Sequence, residues 1–107
     1  MAATALNSAA VAAMASPALP LPTHVDARYL VQGPADPGLL PRLVEPFAKL
    51  GTVPTRVHAS REAGDGSEMT VDLRLAQATP RTAQLIEHAL RRVVGVRQLI
   101  AVMEPAT

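Results

Sequence analysis

The chain has no cysteine and no tryptophan, and its only aromatic residues are Tyr29 and Phe47. Without cysteine, disulfides, thiolate metal ligands and thiol nucleophiles are excluded. With so few rings, a core must be assembled from Val, Leu, Ile and Ala, which bury less area per residue. Burial between subunits would compensate, so an oligomer is expected. Charge in excess of either sign is also missing: 10 basic and 9 acidic residues are dispersed over 107 positions for a net +1. No basic patch of the kind that phosphate backbones select is present, which argues against a nucleic-acid partner. The first 23 residues carry no charge at all. A secretory signal would need a basic stretch ahead of its apolar run, and none precedes this one. The apolar run at 9–15 is too short and too alanine-rich to cross a bilayer, so no membrane partner is expected. Pro17, Pro20 and Pro22 stop any helix from continuing. Residues 1–23 therefore read as a disordered or loosely helical leader, and 24–107 as one domain with a cytoplasmic location.

Within the domain, hydropathy periods alternate between two and 3.6. At 26–32, Ala27, Tyr29 and Val31 share one face and Arg28, Leu30 and Gln32 the other, a strand pattern. Asp36 is placed to cap a helix with Pro37 at its first position. Leu39, Leu40, Leu43, Val44 and Phe47 then form one apolar stripe, with Pro41 near the first turn. Pro46 removes a hydrogen bond to the Arg42 carbonyl and is expected to kink the helix, and Gly51 to end it. A second strand is expected at 53–60, with Val53, Thr55, Val57 and Ala59 on one face and Arg56 and His58 on the other. Gly64-Asp65-Gly66 is a turn signal, so the next strand returns antiparallel. It follows as Met69, Val71, Leu73 and Leu75, alternating with Thr70, Asp72 and Arg74. Thr79-Pro80 opens a second helix with the stripe Ala83, Ile86, Ala89, Leu90 and Val93. Glu87, Arg91 and Arg92 are expected in solvent and Gly95 at the helix end. A last aliphatic strand covers 96–103.

The order β-α-β-β-α-β implies an α+β, ferredoxin-like domain, with a four-stranded antiparallel sheet and two helices on one face. Arg28, Arg56, His58, Thr70, Asp72 and Arg74 would populate the open face, with Asp72 forming cross-strand ion pairs to Arg56 and Arg74. This fold serves many functions, each with its own chemical trace. RNA binding needs rings on the open face, and Tyr29 points inward. Metal carriage would need a cysteine pair. Acylphosphatase chemistry would need an arginine soon after Val31-Gln32-Gly33 and an asparagine on the second strand, and neither is there. His24, His58 and His88 are scattered, and Ser60 and Ser67 have no base and orienting acid in a recognisable spacing. No enzyme and no cofactor are expected.

One run is more specific: acidic-x-Gly-Leu-Leu-x-Arg, here Asp36, Gly38, Leu39, Leu40 and Arg42, followed by Phe47-Ala48 and Gly51. With it, 26–103 resembles the ACT family of small-molecule-sensing regulatory domains, most of all the small regulatory subunits of acetolactate synthase. The resemblance implies a non-catalytic homodimer that modulates the catalytic subunit of an amino-acid biosynthetic enzyme, such as one for branched-chain amino acids, through a small-molecule effector. It implies ligand contacts from Ala35, Asp36, Pro37, Gly38 and Leu39 and from Thr52, Val53 and Pro54, where two domains meet. The sequence departs from the family at Ala35 and Val53, where amino-acid-binding members usually carry amide side chains. A pairing module that binds no amino acid is therefore the alternative.

Overall fold

Among the described residues six strands and α-helices follow in the order the periods lay down: β1 (Val25–Pro34), α1 (Leu39–Lys49), β2 (Arg56–Ser60), β3 (Glu68–Ala78), α2 (Pro80–Arg91) and β4 (Gln98–Pro105). The computed structural model describes residues 22–61 and 64–106, so the expected leader lies outside the described residues as far as Leu21. The sheet order is β2-β3-β1-β4 and every neighbouring pair is antiparallel. This is the expected ferredoxin-like α+β arrangement. Alternation decides which side faces the helices: Val25, Ala27, Tyr29 and Val31 of β1, Val71, Leu73 and Leu75 of β3, and Leu99, Ala101 and Met103 of β4 are all buried. Leu39, Leu43 and Phe47 of α1 and Ala83, Ile86 and Leu90 of α2 close over them.

The two aromatic side chains meet at the centre. Their rings pack edge to face with centroids 6.3 Å apart, a geometry worth about 1 kcal/mol beyond the area it buries. The buried Tyr29 hydroxyl donates to the Ala83 carbonyl at 2.6 Å and so ties β1 to α2. Burial, and then the negative charge of Glu87, push the phenol pKa up, so it stays a donor. At the other end of α1, Gly51 takes φ +68 and its N–H reaches Ala48 O at 3.1 Å, while Thr52 N–H reaches Phe47 O at 2.9 Å. That pair of bonds is a Schellman stop, as Gly51 suggests. α1 runs through Pro46, which is buried. Thr79 caps α2 as expected, its hydroxyl accepting from Thr82 N–H at 3.1 Å with Pro80 opening the first turn.

Several expectations are corrected. α1 begins at Leu39, not at Pro37, and Gly38 stands at its N-cap without any side-chain capping bond. Glu87 is not in solvent: it is 7% exposed and paired with Arg91 at 3.0 Å, because the guanidinium one turn on folds over it. α2 ends at Arg91, and Gly95 (φ +103) closes the following turn. The last strand starts at Gln98 rather than at 96. β2 starts only at Arg56, and its residues are exposed or half-buried rather than alternating. Val57 and Ala59 register with Leu73 and Val71 and so share the helix-side face, but among the described residues no helix covers them.

Candidate functional site

The Asp36–Arg42 run folds into a single unit. β1 finishes at Pro34, and Ala35 N–H donates to Ser67 O at 2.9 Å, fixing the loop to the start of β3. Leu39 N–H then closes a turn onto Asp36 O at 3.0 Å, and Arg42 N–H makes the first helical bond to Gly38 O. The Asp36 carboxylate does not cap this helix. It accepts from Arg42 Nη2 at 3.1 Å, and the same nitrogen donates to Val94 O at 3.1 Å in the turn after α2. Arg42 Nε is buried with no hydrogen-bond partner among the described residues. A Cβ at Gly38 would stand 2.5 Å from Arg42 Nη1, so a side chain there would displace the guanidinium from this bridge. Gly33 is needed beside it, because a Cβ would stand 2.7 Å from Gly95 O. Acidic residue, glycine and arginine thus form one latch that joins the β1–α1 loop to the α2–β4 turn.

The latch leaves few groups free for a ligand. Pro37 and Pro41 have no N–H, and those of Ala35, Asp36, Leu39 and Arg42 are engaged, so the N–H groups of Gly38 and Leu40 remain. The Ala35 side chain offers no hydrogen bond. The other expected site residues, Thr52, Val53 and Pro54, follow α1 at its far end. Thr52 N–H is spent on the helix stop, and Val53 is 80% exposed. An 11-residue helix separates the two segments by about 16 Å, so one chain does not bring them together. Arg42 is the residue that sequence reasoning left out of the site; the signal for it was its opposite charge to Asp36 across Gly38.

On the open sheet face Arg56, Arg74 and Arg28 stand in one cross-strand row. Asp72 accepts from Arg74 at 3.2 Å along its own strand and from Arg28 at 3.5 Å across the sheet, so the expected cross-strand pair with Arg56 is replaced by one with Arg28. Burial works to raise the Asp72 pKa, but the hydrogen bond from Arg74 and the charges of Arg28, Arg74 and Arg56 outweigh it and hold it down. Asp26 and Glu104, opposite one another one row below, complete the balance of the face. Among the described residues, no three His, Asp or Glu are grouped closely enough to hold a metal ion, and no helix is long and apolar enough to cross a membrane.

Comparison with known proteins follows the same lines. The fold is similar to the solution structure of the C-terminal domain of the MgtC protein from Mycobacterium tuberculosis, with a TM-score of 0.58 and 15% identity over 78% of this chain and 90% of that one. At that identity the likeness concerns the fold alone. No curated protein matches the sequence. The model of the ACT-like domain matches residues 21–105, which include all six elements and the latch, and the chain belongs to the ACT-like domain family.

Proposed function

We propose that the chain is a non-catalytic regulatory domain that works as a homodimer, paired through the free edge of β2. The observation that carries this reading is the edge itself. Val57 is 42% exposed on a face whose other strands are buried, and Ala59 is exposed beside it. A strand that offers unpaired backbone groups together with apolar side chains is a template for a second strand. β1 and β2 run parallel, since each is antiparallel to β3. Residues 35–39 therefore lie where β1 finishes, and 52–54 at the opposite end, where β2 begins. A second β2 laid antiparallel about a two-fold axis reverses that order and carries its own 52–54 to the first chain's 35–39. Each end of the interface would then hold both segments. An effector seated there favours one arrangement of the pair, and a catalytic subunit reads it as a population shift. The proposed partner is a cytoplasmic amino-acid biosynthetic enzyme; the resemblance alone suggests one of the acetolactate synthase kind.

A second reading, a pairing module that takes no amino acid, is favoured by Arg42. Its guanidinium lies over Gly38 and is already held by Asp36, while Ala35 and Val53 supply no polar side chain. Light scattering and calorimetry with branched-chain and other amino acids separate the two. The regulatory reading expects a dimer at micromolar concentration that Val57→Lys splits without unfolding, and heat on adding an effector. A folded wild-type monomer overturns pairing. A dimer silent to every amino acid leaves the second reading.

A further inference from the structure

α1 and α2 leave between them a groove of about 570 Å³. Small-molecule sites occupy roughly 300–1,000 Å³, so its size suits one small ligand. Pro46 and Leu50 stand on one wall and Leu85, Ala89 and Val94 on the other. Leu50, Leu85 and Val94 are 40%, 38% and 77% exposed, so the lining is apolar and open to water. None of the expected ligand residues at 35–39 and 52–54 lines it. The groove is therefore a second candidate site, independent of the pairing through β2.

Its two ends differ. Arg42, in the first turn of α1, donates to Val94 O in the turn after α2, so the start of α1 lies beside the end of α2. Arg42 and Arg92 line that end of the groove, and Leu50 and Leu85 the other. The α1 wall runs about 12 Å from Arg42 to Leu50, and the α2 wall about 10 Å from Arg92 back to Leu85. The charged side chains of the lining are Arg42, Glu45, Lys49 and Arg92. Lys49 is held by Glu45 at 2.8 Å and Arg42 by Asp36 at 3.1 Å, which offsets both cations. Arg92 is exposed, and its side chain has no partner among the described residues. The dipoles of the two adjacent helix ends are opposite in sign and offset one another, so Arg92 sets the charge of that end.

We infer that this groove binds a small amphipathic anion, a monocarboxylate whose head meets Arg92 and whose aliphatic tail lies along Pro46 and Ala89 towards Leu50 and Leu85. The tail supplies most of the affinity, up to about fourfold for each methylene it buries. The head supplies the selectivity, since a carboxylate accepts charge-assisted hydrogen bonds from a guanidinium that has no other partner. A free amino acid fits poorly. Its ammonium would need an acceptor, and the one carboxylate on the lining, that of Glu45, is already paired with Lys49. A cationic amphiphile would meet Arg92 with like charge.

The test is an NMR titration of the full-length, isotopically enriched chain. Sodium octanoate should shift the amide signals of Leu50, Leu85, Ala89 and Val94 to saturation and spare Val57 and Ile100. Hexanoate, with a shorter tail, and 1-octanol, with the same tail and no charge, should each bind several-fold more weakly. Arg92→Gln should bring octanoate down to the level of octanol and leave octanol unchanged. Leu85→Glu, a change at the surface, should abolish both while the signals of the sheet persist. Octanol binding the wild type as tightly as octanoate, no saturable shift at the groove, or shifts confined to 35–39 or β2, overturns the inference. So does movement of the groove signals, without those of β2, on diluting the ligand-free protein, because a second copy would then be the occupant. Sedimentation with phosphatidylglycerol vesicles in place of a response to octanoate overturns it in favour of a membrane surface. Each readout is separate from the Val57→Lys test, so failure here and failure of the pairing are told apart.

Discussion

Gly33 and Gly38 both exclude a side chain, but what a Cβ would strike differs, and so should the cost. At Gly33 the obstacle is the backbone carbonyl of Gly95, which cannot move without the whole turn; at Gly38 it is the guanidinium of Arg42. Gly33→Ala should therefore lower stability by about 2 kcal/mol in chemical denaturation, within the usual range for overpacking. Gly38→Ala should cost less and show instead as lost coupling between Asp36 and Arg42 in a double-mutant cycle. Phe47→Ala removes half of the ring pair from a site 1% exposed and should cost about 3 kcal/mol or more. Tyr29→Phe removes only the bond to Ala83 O and should cost about 1 kcal/mol. Tyr29 and Phe47 were legible as core from sequence, because size and period agree. Asp36 was not legible as half of a latch. An aspartate just before a helix looks like a cap, and only the Pro37-Gly38 turn brings Arg42 round to claim it. Glu87 misled for a similar reason, since residue type alone does not show that Arg91 folds back over it.

Among the elements, those buried on one side were read most surely. β1 and β3 alternate because one face meets the helices and the other water, and that contrast is written into the residues. β2 was overextended because Val53 and Thr55 continue its alternation in sequence, although the chain is still leaving α1 there and pairs regularly only from Arg56. Its apolar face was readable; that neither α1 nor α2 covers it was not, since coverage depends on where the helices sit. The start of α2 was legible because Thr79-Pro80 states both cap and first turn. Thr79→Ala should cost about 1 kcal/mol, measured by thermal unfolding, through loss of the bond to Thr82 N–H. Arg92 and the exposed edge at Leu85 sit outside that first turn and should be indifferent to it.

For the whole molecule, the open face sets how stability responds to pH, and the proposed pairing through β2 would set how a ligand response depends on concentration. The Asp72 carboxyl is held below its ordinary 3.8. Its contribution is therefore complete above that value and lost as pH falls through the lower folded one. Asp72→Asn should remove about 1 kcal/mol or less at neutral pH, the partners being half exposed, and should flatten the acid limb of a stability–pH profile below pH 4. Above pH 5 the two profiles should run parallel. The segments 35–39 and 52–54, set at opposite ends of α1, bear on dosage. A ligand that needs both is bound only by associated chains, so its apparent affinity follows the amount of protein as well as the amount of ligand. If the proposed pairing holds, the level of expression itself would set the threshold of the response, and a cell that makes less of the chain would need more of the same effector.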